Sequence, residues 1–241
     1  MENLIWLVPT LPLAGFAVNA LVGRRLSRRW VGLVACGSVG VAFLLSLALS
    51  FHLTSFPAHD RQLHQDLFTW IAIEDFQVRA GFLLDPLSVV MILVVTGVGF
   101  LIHVYSVDYM GEDPDYARYF SYLNLFAFFM LLLVLADNYL LLFVGWEGVG
   151  LCSYLLIGFW FERPAASTAA QKAFVVNRVG DAGFLIGIFL LFTTFGTLEY
   201  ADIFHRAEGM HGQLTEPALW GLSVVTWITL ALFVGAMGKS A

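Results

Sequence analysis

One carboxylate stands alone in a long apolar run. Residues 138–160 read NYLLLFVGWEGVGLCSYLLIGFW, and Glu147 is the sole charge among them. At ~1.5 Å of rise per residue a helix of this length reaches across ~30 Å of hydrocarbon. Glu147 lies near its middle, where a charge is costly unless it has a partner, water or a proton. Lys172, the Arg178/Asp181 pair and Lys239 also put charge inside apolar stretches. Arg178 and Asp181 are three apart and share a helical face. They read equally well as a self-neutralising structural pair and as functional groups. Lys172 is nine residues from Asp181 and points to the opposite face, one to two turns into its span, where a long lysine can snorkel to the interface.

Glu147 and Lys239 have no countercharge within a turn of their own helices. Gly145, Gly148 and Gly150 flank the first, and Gly235 and Gly238 precede the second. Glycine lets a backbone or water approach and loosens a helix. Loss of water disfavours the charged form of either residue, and an opposite charge nearby restores it. Protonating or withdrawing the carboxylate would therefore make the lysine release its proton. The chemistry is that of a switchable proton site, with a static buried salt bridge as the alternative. The sequence contains no glycine-rich phosphate loop, haem ligand pair or cysteine cluster, and binding of a redox centre is not expected. Cys36 and Cys152 read as small apolar core residues, and His52, His59 and His64 as loop histidines rather than a metal site.

The elements that must position these groups are membrane helices. The 241 residues are 59% hydrophobic and 12% charged, against about a quarter charged in a soluble domain. Mean hydropathy is +0.81. The net charge of −6 leaves no nucleic-acid footprint. The pattern predicts an all-α membrane protein, a single membrane domain over 1–241, with seven transmembrane helices near 4–22, 30–53, 86–107, 119–136, 138–160, 167–195 and 218–241. The first helix lacks a signal peptide's charged start and cleavage site and is expected to be retained. Residues 56–81 form the one sizeable polar loop between the early helices, with strands expected at 66–73 and 76–80 about a Glu74-Asp75 turn. Asp85 and Pro86 suit the cap and first position of the third helix. His103, Tyr105 and Asp108 should lie at the membrane surface, and 196–216 should be a polar loop.

Arg24, Arg25, Arg28, Arg29, Arg118, Arg163 and Lys172 fall on one side of these helices and Arg61, Arg79 and Arg206 on the other. This bias places the N-terminus and the 56–81 loop outside the cytoplasm. The arginine cluster reads as a topology determinant in preference to an anionic-lipid site. The apolar pattern stops at Ala241 without a cap or polar tail, so a chain cut inside or just after the seventh helix is expected.

Three stretches carry a family resemblance: GWEGVGLCSYLLIGFW over 145–160, KAFVVNRVGD over 172–181 and VGAMGKSA over 234–241, with LDPLS over 84–88 in support. The chain resembles the distal antiporter-like subunit of respiratory complex I, subunit L of the NADH–quinone oxidoreductase membrane arm, in its N-terminal part. The resemblance implies the first part of an inverted-repeat antiporter-like fold in a bacterial inner membrane. It implies proton translocation through Glu147, Lys239, Asp181 and Arg178, with Lys172 a further candidate, and with Glu147 paired to Lys239 near a break in the seventh helix. It also implies other complex I membrane subunits as partners and no cofactor in this chain, with flavin, iron–sulfur clusters and quinone in partner subunits. The sequence departs from the family by stopping where further helices would follow, so by itself this length should not pump. A subunit of a multi-subunit cation/proton antiporter, and a membrane-arm homologue from a membrane-bound hydrogenase or inorganic-carbon uptake system, are the competing readings. The NRVGD stretch over 177–181 favours the first.

Overall fold

A carboxylate placed just before a proline starts the helix that leaves the hairpin. The Ser88 amide donates to Asp85 Oδ1 and the Asp85 amide donates back to Ser88 Oγ, both at 2.7 Å. This reciprocal cap satisfies amides that any helix start leaves open. The computed structural model describes residues 2–73, 76–217 and 219–240. Their helices are α1 (Leu7–Val22), α2 (Arg28–Thr54), α3 (Pro86–Tyr109), α4 (Tyr116–Leu135), α5 (Tyr139–Ile157), α6 (Pro164–Phe195), α7 (Tyr200–Gly209), α8 (His211–Thr215) and α9 (Val224–Ser240). Strands β1 (Leu63–Ile73) and β2 (Phe76–Leu84) pair antiparallel between α2 and α3. The expected Glu74-Asp75 turn lies outside the described residues.

Among the described residues six helical spans, Leu7–Arg25 (α1 with the turn that follows it) and α2 to α6, are long and apolar enough to cross a membrane. The protein is a multi-pass integral membrane protein. The seventh helix, expected over 218–241, is shorter: α9 begins at Val224 and has 17 residues. Ala218 and Ala241 lie outside the described residues. Ahead of α9, Trp220 and Gly221 adopt positive φ angles of 54° and 77°. A left-handed pair of this kind ends helical geometry, so α9 starts later than its apolar composition suggests.

One further expectation changes. The loop expected over 196–216 contains α7 and α8. Ile203, Ala207, Met210 and Leu214 pack with Phe195, Leu198 and Ile228, and their spacing of three and four is a helical stripe. Near the end of α3, His103 is buried within the protein, its ring beside Phe120 of α4 and its Nδ1 2.8 Å from the Gly99 carbonyl. Tyr105, two residues on, is exposed. Two residues along a helix is about 200°, so the pair cannot share a face.

Helices α1 to α4 form one packed group, α5 lies on α4, α6 on α5 and α9 on α6. The α6–α9 crossing depends on Gly180 and Gly238. A Cβ at Gly180 would lie 2.8 Å from the Gly238 Cα, and one at Gly238 would lie 2.7 Å from the Gly180 Cα. Small residues at such a crossing let backbones meet, which in lipid is a main source of helix association. Gly180→Ala is expected to lower the thermal midpoint of the purified protein in detergent, with a cost of about 1–3 kcal/mol for overpacking. Among the described residues a Cβ at Gly37 meets nothing within 4 Å, and Gly37→Ala should leave the midpoint unchanged or raise it through helix propensity.

Candidate functional site

The intramembrane charges converge where α5, α6 and α9 meet. Asn138 caps α5: its Oδ1 accepts from the Leu141 amide at 2.8 Å, and its Nδ2 donates to the Arg79 carbonyl of β2 at 2.8 Å. The start of α5 is thus tied to the hairpin, and Glu147 follows about two and a half turns on. Arg178 and Asp181 lie together on α6. Lys239 approaches from α9, whose backbone touches α6 at Gly180 and Gly238.

The ion pairs are crossed relative to expectation. Arg178 Nη1 pairs with Glu147 Oε2 and lies 3.8 Å from Asp181 Oδ2. Lys239 Nζ lies 4.0 Å from Asp181 Oδ1 and donates to the Trp146 carbonyl. Among the described residues Glu147 and Lys239 form no direct ion pair, in contrast to the pairing that the resemblance implied. The helix order supplies the reason. Because α6 contacts both α5 and α9, its own arginine takes the α5 carboxylate and its own aspartate takes the α9 lysine. The Arg178/Asp181 pair is accordingly not self-contained.

Burial is graded across the group. The Asp181 side chain is 4% exposed and that of Arg178 41%. Glu147 Oε1 and Asp181 Oδ2 are buried and, among the described residues, accept no hydrogen bond. With all four residues ionised the two positive and two negative charges cancel, which is how a lipid-embedded cluster tolerates them. Each carboxylate retains one acceptor oxygen able to take a proton.

Gly150 makes the lysine's position possible. A Cβ there would stand 2.6 Å from Lys239 Nζ, so a larger residue would require the ammonium to shift from its place against α5. Lys172 does not join the cluster: its side chain is exposed, and among the described residues it makes no ion pair within 4.0 Å. Trp146 was read as part of an apolar run and was missed. Its indole N–H donates to Asp181 Oδ1 at 2.7 Å. The only available signal was a hydrogen-bonding indole next to a lone carboxylate.

A second polar group lies at the other end of α5, under the hairpin. Arg79 Nη1 pairs with Asp66 Oδ2 at 3.0 Å, and Arg79 Nε lies 3.9 Å from Glu199 Oε1. Asp137 accepts from the Asn138 side chain at 2.7 Å. Asp66, Arg79, Asp137 and Glu199 line a groove of ≈ 710 Å³. Burial pushes the Asp137 and Glu199 carboxyls above their ordinary values. A raised value means that the folded protein binds more protons than the unfolded chain. Stability from Asp137 is therefore fully present below the ordinary carboxylate value and is lost as pH rises through the raised one. Asp137→Asn, which stays neutral, should be more stable than the wild type at pH 8. That gap in thermal midpoint should close as pH falls; a gap that widens toward acid would contradict the burial argument.

Comparison with known proteins supplies the context for this geometry. The model of the complex I chain 5 N-terminus matches residues 70–120, and that of the NADH:quinone oxidoreductase/Mrp antiporter transmembrane region matches residues 136–241. NADH-quinone oxidoreductase subunit L of Mycobacterium tuberculosis is 50% identical over 236 residues, covering 98% of this chain and 36% of the relative. Subunit L of Escherichia coli is 44% identical over 240 residues, covering 99% and 38%. Chain 5 of NADH-ubiquinone oxidoreductase from Triticum aestivum is 44% identical, covering 98% and 34%. The chain thus spans little more than a third of the length of the curated relatives it matches. A chain in the solved structure of the Mrp complex from Dietzia superposes with a TM-score of 0.77 at 25% identity, over 98% of this chain and 24% of that one.

Proposed function

This chain belongs to the antiporter-like subunit L/chain 5 family of NADH:quinone oxidoreductase, and from that membership we propose that it carries a proton-translocating unit of the membrane arm. Redox chemistry in other subunits drives it, and this chain holds no redox centre. Its partners are the other membrane-arm subunits, the surrounding lipid and the proton. The observation that carries this reading is the four-charge cluster Glu147–Arg178–Asp181–Lys239 spread over three helices.

The cluster suits proton transfer because two cations compete for one buried carboxylate. A proton arriving on Glu147 neutralises the partner of Arg178. The guanidinium, already 3.8 Å from Asp181, then turns to Asp181 and displaces the lysine. Lys239, left without a countercharge in a water-poor site, gives up its proton. One proton enters and one leaves: the cluster carries one extra positive charge after Glu147 is protonated and is neutral again once Lys239 has released its proton. Glu147, Lys239, Asp181 and Arg178 are the residues of this step. Lys172, exposed and outside the cluster, is at most an entry point on the surface.

In this reading α9 is the seventh span. The N-terminus, the hairpin and the Asp137 groove face the extracytoplasmic side of a bacterial inner membrane, opposite the Arg24–Arg29 cluster. A cation/proton antiporter unit is the second reading, favoured by the Mrp-type superposition. Glu147→Gln and Lys239→Ala, introduced into the subunit within its complex, should each lower proton pumping in reconstituted vesicles by at least tenfold. The double variant should lose less than the product of the two. Undiminished pumping in either single variant would contradict the exchange.

A further inference from the structure

Trp146 touches the cluster through three different parts of one residue. Its indole N–H donates to Asp181 Oδ1 at 2.7 Å. Its carbonyl accepts from Lys239 Nζ. Its ring lies beneath the same ammonium, 5.2 Å from the centroid. The ring is itself fixed by stacking on Phe184 of α6, with centroids 4.9 Å apart and planes 19° from parallel. Trp146 therefore meets both members of the Asp181–Lys239 pair, and the next residue in the chain, Glu147, meets Arg178.

We propose that Trp146 is a positioning residue that holds Asp181 and Lys239 together as the acceptor–donor pair and keeps Lys239 off Glu147. The reasoning is geometric. Asp181 Oδ1 faces two donors, the Trp146 indole and Lys239, while Oδ2 faces Arg178 at 3.8 Å. The indole bond fixes which oxygen points to the lysine and leaves the other for the arginine. The ammonium, held by a backbone carbonyl and a ring face, stays within reach of Asp181 without a short ion pair, a loose contact suited to release. The charged and titratable groups around Asp181 are Glu147 from α5, Arg178 from α6 and Lys239 from α9. An indole donor to a carboxylate is a charge-assisted hydrogen bond, of the strength that shifts a proton equilibrium about tenfold.

This inference rests on the proton-translocation reading, and its test separates the two. In the assembled complex, Trp146 is replaced by 3-benzothienylalanine, which keeps the ring shape and the carbonyl but lacks the N–H. Proton pumping per NADH oxidised is followed against pH in vesicles. The expected result is a pH profile displaced by about one unit, the equivalent of a tenfold change in proton affinity. Trp146→Phe, a second variant should the analogue not assemble, should displace it in the same sense. A profile that keeps its position, with its maximum lowered or unchanged, would overturn the positioning role and leave only packing on Phe184. Glu147→Gln and Lys239→Ala run alongside: loss of pumping in both with an undisplaced Trp146 profile overturns this inference alone, whereas full pumping in both overturns the proton-translocation reading beneath it.

Discussion

A charge in hydrocarbon must be answered by another charge, and the architecture of α5, α6 and α9 follows from that demand. Four ionisable side chains sit where water is scarce, and their charges sum to zero. That cancellation is what lets a Glu, an Asp, an Arg and a Lys occupy membrane-spanning helices together. The same cancellation makes the group responsive. Any proton added to one carboxylate unbalances a neutral cluster, and the cheapest correction is to release a proton elsewhere in it.

The helices are arranged to keep these groups within reach. α6 is the central element because it contributes a cation and an anion to the same face. The glycines at its crossing with α9 bring the backbones into contact and carry Lys239 toward α5. On α5, the absence of a side chain at Gly150 gives the ammonium a seat against the helix surface. The hairpin acts at a distance: by holding Asn138 through the Arg79 carbonyl, it fixes where α5 begins and so where Glu147 stands. Packing, capping and electrostatics all bear on the placement of one side chain.

Much of this was legible in the residues and some was not. The six long helices follow from apolar runs that admit no other fold in lipid, and the cluster members stand out because charges are so rare in those runs. Their pairing was not legible. It depends on the order in which α5, α6 and α9 pack, and that order is a tertiary fact. The spacing argument placed Lys172 away from Asp181, and it lies outside the cluster, because helical phase alone decides that question. Trp146 was hidden, since an aromatic in an apolar run gives no sign that its N–H faces a carboxylate. Helices α7 and α8 were hidden for the opposite reason. Their apolar stripe is short and embedded in polar residues, and it becomes a helix only by packing on the ends of α6 and α9.

The crossed pairing is the claim on which the proton exchange stands, and coupling energies test it most directly. Double-mutant cycles in thermal stability would compare Glu147→Gln with Arg178→Gln, and Glu147→Gln with Lys239→Gln, in the purified protein. The account predicts a coupling of at least ~1 kcal/mol between Glu147 and Arg178 and near-additivity between Glu147 and Lys239, as expected for a contacting and a non-contacting pair. Strong coupling of Glu147 to Lys239, with additivity toward Arg178, would contradict it.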